Sequence, residues 1–149
     1  MTDILLQAGA LFSSPGSEEM FLLARLLFGG VLAFMGLNHF MNVGDMAGYA
    51  EMKGLPAPKL SVVATGVMLV LGGLAVITGA FVVLGVGALA VFLLASAVLM
   101  HDFWTVEDPQ QQQTEMTQFL KNVSLAGAAL GFLGLASVPW PYAVDLGLI

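Results

Sequence analysis

LSVVATGVMLVLGGLAVITGAFVVLGVGALAVFLLASAVLMH, residues 60–101, contains no Asp, Glu, Lys or Arg. One helix of that length would run about 60 Å at 1.5 Å per residue, whereas the hydrocarbon core of a bilayer is about 30 Å thick. The stretch therefore reads as two spans, 60–78 and 80–100, with Thr78-Gly79-Ala80 as the natural break. Upstream, Phe21 to His39 is a first span interrupted only by Arg25. Downstream, Phe119 to Val138 is a fourth, stopped by Pro139 and Pro141 and followed by Trp140 and Tyr142 as an interfacial aromatic anchor. The prediction is an all-α, membrane-embedded four-helix bundle, with residues 1–149 as a single membrane domain. Four spans put both termini and the 78–80 corner on one side and the long loops, 40–59 and 101–118, on the other. Lys53, Lys59 and Lys121 flank the long loops and only Arg25 lies near the termini, which places the long loops in the cytoplasm and both termini outside.

Composition agrees. The 149 residues are 58% hydrophobic, against about 45–50% in soluble domains. Four basic and ten acidic residues make 9% charged, where about 25% is usual. Charges this sparse cannot cover a water-facing domain, and a disordered chain or disulfide scaffold is excluded too. No cysteine is present, which removes disulfides, thiolate metal sites and cysteine nucleophiles. A net charge of −6 disfavours nucleic acid, which needs clustered Lys and Arg. The acids fall mostly in loops (Asp45, Glu51, Asp102, Glu107, Asp108, Glu115), a pattern that suits a high-salt habitat where self-repulsion is screened.

Local signals fill in the rest. Ile4, Leu5, Ala8, Leu11 and Phe12 recur at helical spacing and predict a short N-terminal interfacial helix. Ser17 reads as an N-cap, with Glu18 and Glu19 in the first turn. A short helix is expected over Met46–Lys53, capped by Asp45 and closed by Gly54. Asp108-Pro109 reads as cap and first helical residue, so the fourth helix stands about three turns above the membrane. Gln110–Gln113 is then a solvated helix face. Small residues pack helices in lipid. Gly29 and Gly36 in the first span, and the Gly127/Gly131 GxxxG pair in the fourth, are the packing candidates.

Polar residues in such a chain carry the functional question. Arg25 lies about one turn inside the first span, where a charge is a functional candidate by default. Snorkelling to the interface beside Glu18 is the structural alternative. His39 falls on nearly the same face as Arg25, with Gly29, Leu32 and Gly36 between them, and Asn38 is its neighbour. His101, Asp102 and Trp104 end the third span at the same surface as His39, and Lys121 and Asn122 enter the fourth span there. These residues can converge at one end of the bundle. Histidine with lysine or asparagine can hold the carbonyl of a quinone headgroup, with Trp104 or Phe103 stacked on its ring. Two histidines at one depth also permit a bis-histidine haem, a less favoured reading with so few ligands. Helix capping and bundle anchoring account for the cluster equally well. No cofactor is fixed by these residues alone, no metal is assigned and no catalytic residue is evident. Six methionines near that surface (Met35, Met41, Met46, Met52, Met100, Met116) could bind Cu(I) but read better as packing fillers.

Several segments resemble the DoxX family of small four-span membrane proteins. They are Leu23-Ala24-Arg25-Leu26-Leu27-Phe28-Gly29, Tyr49 through Lys53-Gly54-Leu55-Pro56-Ala57-Pro58, His101-Asp102-Phe103-Trp104, and Phe119-Leu120-Lys121-Asn122-Val123-Ser124-Leu125-Ala126-Gly127. Together they cover about residues 20–135. The resemblance implies a four-helix membrane bundle and a quinone-linked redox association, since the family is named for a subunit connected with thiosulfate:quinone oxidation. Many members carry a glutamate where Leu69 stands and a basic residue near Phe81-Val82, so Arg25 lacks the counter-ion the family pattern implies. The lysine some relatives have at the end of the first span is His39 here.

Three functions compete. The first is a membrane subunit or accessory of a quinone-linked oxidoreductase, docking a redox partner on the long-loop face. The second is a non-enzymatic membrane scaffold that forms homo-oligomers. The third is a small-solute carrier, disfavoured by few spans, one intramembrane charge and no internal repeat.

Overall fold

The computed structural model describes residues 11–144. Within them the chain forms α1 (Ser17–Met41), α2 (Val43–Met52), α3 (Pro58–Thr78), α4 (Val82–Met100), a single 3-10 turn (Phe103–Thr105) and α5 (Pro109–Gly134). The protein is all-helical across these residues. Apart from Leu11 and Phe12, the expected N-terminal interfacial helix lies outside them. Among the described residues three segments are long and apolar enough to cross a membrane: α1, α3 and Val82–Thr105. Their outward faces are apolar, with Phe34 65% and Leu84 74% exposed, as lipid-facing side chains are.

The start of α1 meets the end of α5, and the long loops gather at the other end. The first helix pair is the tightest. Gly29 of α1 faces Gly73 of α3, and two turns on Gly36 faces Gly66 and Val70. A Cβ on Gly29 would lie 2.5 Å from the Gly73 carbonyl oxygen, and one on Gly36 2.7 Å from that of Gly66. Backbones approach this closely only where side chains are absent, which is how helices associate without a hydrophobic driving force. Gly72 of α3 receives Leu89 of α4. Leu32, Leu69, Leu89 and Leu93 are fully buried and meet Ala126, Ala129 and Phe132 in one core. Arg25, Gly29, Leu32 and Gly36 are the buried stripe of α1, the face inferred from their spacing.

Four local expectations need correction. Among the described residues no helix packs on Gly127 or Gly131, because a Cβ on either would meet nothing within 4 Å; the inward face of α5 uses alanines at Ala126 and Ala129 instead. Ser17 is the first helical residue and Gly16, at φ 79°, is the cap, because the Ser17 hydroxyl donates backwards to the Ser14 carbonyl. The loop helix begins at Val43, not after Asp45, since only Asn42 separates it from α1. The last helix stops at Gly134, short of Val138, and passes into tight turns in which Leu135, Ala136 and Val138 each donate three residues back. Gly54 closes α2 as expected, with its N–H on the Glu51 carbonyl and φ 75°. Asp108 caps α5 by accepting from the Gln111 N–H at 2.8 Å, with Pro109 in the first turn.

Candidate functional site

The two ends of the bundle hold two different polar constructions. At the termini end Arg25 is fully buried. It neither snorkels nor pairs with Glu18. Nε donates to the Val76 carbonyl at 2.9 Å, Nη2 to Ile77 at 2.6 Å and Nη1 to Pro141 at 2.5 Å. Val76 and Ile77 belong to the last turn of α3, where four carbonyls lack intrahelical partners. The other two are taken by backbone: Gly79 N–H donates to Ala75 at 2.9 Å and Val144 N–H to Thr78 at 2.8 Å. Arg25 thus completes the cap of a neighbouring helix, and its positive charge sits at the negative end of that helix's dipole. Trp140, expected as an interfacial anchor, is instead buried beside it. Its ring lies 5.2 Å from the guanidinium and edge-on to Phe21, and its N–H donates to the Leu135 carbonyl at 2.9 Å. Tyr142 remains exposed. Each of the three Arg25 nitrogens thus donates to a backbone carbonyl, and the side chain is fully buried.

At the long-loop end a cavity of 560 Å³ lies between α1, α2, α3, α4 and α5. Of the residues singled out from sequence, His39, His101, Lys121 and Asn122 line it. Met35, Phe92 and Leu99 are among its apolar walls. The four arrive from three helices. His39 is in the last turn of α1, His101 is the C-cap of α4, and Lys121 and Asn122 sit in mid-α5. Asn122 is buried and donates to Ser96 Oγ at 3.2 Å. Lys121 is exposed and donates to Gln118 Oε1. His39 Nδ1 lies 2.8 Å from the Met35 carbonyl. A carbonyl only accepts, so Nδ1 carries the proton and Nε2 is the acceptor in the neutral ring.

The remaining candidates lie elsewhere. Arg25 is at the opposite end. Asn38 turns to Asn42, whose amide donates to its Oδ1 at 2.8 Å. Trp104 and Phe103 do not line the cavity; they stack on each other and on Phe119, with centroids 5.2 to 5.8 Å apart. The aromatic rings that line the cavity are Phe92, edge-on to His39 at 6.3 Å, and Tyr49. Asp102 pairs with Lys53 and accepts from the Thr105 hydroxyl at 2.9 Å. Burial alone would lower the Lys53 ammonium, but the Asp102 bond and the surrounding negative charge outweigh it and raise it.

The pair Tyr49 and Glu115 was not legible as part of a site. Glu115 is buried to 9% exposure. Its Oε2 accepts from His101 Nδ1 at 2.8 Å and its Oε1 from the Tyr49 hydroxyl at 3.1 Å. The single Tyr49 O–H is shared between that carboxylate oxygen and the Met100 carbonyl, which lies 3.0 Å away. Burial and then the Glu115 carboxylate push the Tyr49 phenol above its ordinary value. Glu115 lies two turns before Asn122 on the buried stripe that continues through Ala126 and Ala129. An acid in register with that stripe was the signal available in the sequence. Among the described residues no group of three or more His, Asp or Glu is placed to hold a metal. The methionines diverge: Met35, Met46 and Met100 line the cavity while Met41 and Met52 are exposed.

A family model described as DoxX matches residues 20–102, more than half of the chain. The chain belongs to the DoxX family. No curated protein and no solved structure matches it. The DoxX match takes in α1 to α4 and His101 and ends before α5, so Glu115, Lys121 and Asn122 stand outside it. At Leu69, where the family pattern implies an acid, the side chain is fully buried in the core with Leu32. The carbonyls of α3 and Pro141 serve Arg25 in place of a carboxylate.

Proposed function

We propose that this DoxX-family protein is a quinone-binding membrane subunit or accessory of a quinone-linked oxidoreductase, folded as one membrane domain of four spans. The observation that carries the reading is the cavity: 560 Å³, walled mainly by apolar side chains, with a few convergent polar groups where the bundle meets its long loops. That is the composition of a site for a lipophilic ring with a polar edge. The donor set fits. Lys121 and Asn122 supply N–H groups for a carbonyl oxygen, and His39 Nε2 supplies an acceptor for a hydroxyl. Phe92 offers a ring wall. A bound quinone supplies two-electron, two-proton exchange between its carbonyl and hydroxyl forms. The chain's own residues orient the headgroup and exclude water from it. The excess of Lys around the long loops supports a cytoplasmic placement of this end, with both termini outside, and a redox partner docking there.

The test is purification in mild detergent, with mass spectrometry of co-eluting lipids and a visible spectrum of the same fraction. Stoichiometric quinone in the wild type, lost in Asn122→Leu and His39→Leu, is the expected result. A ligand-free wild type, or full occupancy in both variants, overturns the assignment. A haem band would reassign the histidines as axial ligands. One observation favours the scaffold reading: Gly127 and Gly131 are open to the outside, as a homo-oligomer interface in lipid requires.

A further inference from the structure

His101 and Glu115 form a hydrogen-bonded acid–base pair at the cavity wall, and the two cavity histidines differ in what stands behind them. Behind His39 is a neutral carbonyl, that of Met35 at 2.8 Å. Behind His101 is the Glu115 carboxylate at 2.8 Å, itself tied by the Tyr49 hydroxyl. A carbonyl orients an imidazole but does little to balance a second proton on it. A carboxylate does both, because it holds Nδ1–H in either charge state and stabilises the imidazolium. With one proton on the ring, Nδ1 donates to Glu115 and Nε2 is an acceptor. With two, Nε2–H becomes a donor and the charge is met by Glu115.

We propose that the His101–Glu115 pair is a proton-loaded selector that matches the cavity to the ligand's oxygen. The unloaded pair accepts from a ligand hydroxyl, and the loaded pair donates to a ligand carbonyl. The proposal rests on the reading of the cavity as a quinone-class site. It assigns that site a rule: the carbonyl form binds with uptake of one proton, and the hydroxyl form binds without. No bond to the ligand forms or breaks in this step; one proton from water moves to His101 Nε2.

The groups that face the pair leave room for this. Tyr49 and Lys53 come from α2, and Asp102 follows His101 in the chain. Around the cavity stand His39 from α1, Asp45 from α2 and Lys121 from α5. Tyr49 and Asp102 are already committed, the first to Glu115 and Met100 and the second to Lys53 and Thr105. Glu115 is thus the carboxylate bonded to a cavity histidine, and Tyr49 fixes its other oxygen.

The experiment measures binding of two probes of one shape to the full chain in lipid nanodiscs. They are a 2-alkyl-1,4-naphthoquinone and a 2-alkyl-1-naphthol with the same chain, titrated from about pH 5 to about pH 8, where imidazole changes charge. The ratio of the two dissociation constants is expected to shift by about tenfold across that range, the worth of one hydrogen bond to a charged group. The quinone is favoured at low pH and the naphthol at high pH. In His101→Phe both probes bind more weakly and the ratio of their dissociation constants becomes flat with pH. In Glu115→Gln, which cannot balance the imidazolium, the crossover moves to lower pH; this variant serves if His101→Phe fails to fold. Parallel pH profiles in the wild type, or an unmoved crossover in Glu115→Gln, overturn the selector and leave the quinone site standing. Failure of both probes to bind the wild type overturns the quinone site and the selector with it.

Discussion

Replacing Arg25 by methionine tests whether the termini end is held by a guanidinium acting as a cap. The substitution keeps most of the stem and removes three donors. It leaves the carbonyls of Val76, Ile77 and Pro141, now met at 2.9, 2.6 and 2.5 Å, without that partner. Hydrogen bonds inside membrane proteins average about 0.6 kcal/mol each, which gives a floor of about 2 kcal/mol. Hydrogen bonds to a charged group contribute about 1.5 kcal/mol or more each, which for three of them puts the upper end at about 5 kcal/mol. A loss of about 3 kcal/mol is expected. Arg25→Lys keeps the charge but cannot reach three carbonyls with one ammonium, so it should recover less than half. The assay is reversible unfolding in mixed micelles with increasing sodium dodecyl sulfate. Trp140 fluorescence reports the local environment in a Trp104→Phe background, since the chain has two tryptophans. The reasoning is refuted if Arg25→Met unfolds within about 0.5 kcal/mol of the wild type, the scale of an ordinary surface change. Full recovery by Arg25→Lys would refute the fork geometry and leave only the charge.

Glycine contrasts give a second test. Gly29→Leu should separate α1 from α3 and cost more than about 3 kcal/mol in the same assay, because even its Cβ meets the Gly73 backbone. Gly127→Leu should leave monomer stability within about 0.5 kcal/mol, since it enters open space; analytical ultracentrifugation of that variant then reads whether the open face assembles copies. Asp102→Asn should cost about 0.5–1 kcal/mol at neutral pH. The sign follows from the shifts. Asp102 pairs with Lys53 and accepts from Thr105 as a carboxylate, so its contribution fades when acid protonates it. Lys53 is held high, so its contribution is complete below the unfolded lysine value and fades as pH rises through the folded one. The variant's stability profile should therefore be flatter on the acid limb; an acid limb identical to the wild type would show that the pair contributes nothing. Tyr49→Phe should loosen α2, read as faster amide exchange over Val43–Met52, and unchanged exchange would separate that bond from the helix's docking.

The helices were legible because charge is so scarce that a charge-free run of two bilayer thicknesses permits little else. The stripe Arg25, Gly29, Leu32, Gly36 was legible from its period. Arg25's role was not, because its partners are backbone carbonyls, which leave no residue-type signature, and one of them lies in Pro141, far along the chain. At the other end His39, His101, Lys121 and Asn122 were placed together by topology alone, and they share one cavity. Trp104 and Asp102 missed it because the 3-10 turn at Phe103–Thr105 swings them to Phe119 and Lys53. Glu115 was hidden by its surroundings in sequence: five glutamines and two threonines around it read as a solvated face, and only its register with Asn122 sets it apart. Gly127 and Gly131 misled because a GxxxG spacing marks a face fit for close approach without saying whose backbone approaches it.

The cap on α3 also imposes an order on biosynthesis. Chains are made from the N-terminus, and early segments can associate while later ones are still being translated. The α1–α3 pair has all its glycine contacts once Thr78 has emerged. Yet the carbonyl of Thr78 and one arm of Arg25 wait for Val144 and Pro141. Until those residues arrive, a nascent hairpin sits in the bilayer with an unmet guanidinium arm and an unmet carbonyl at one end. That end closes only when Pro141 and Val144 dock against it, so the cap on α3 follows the pairing of α1 with α3.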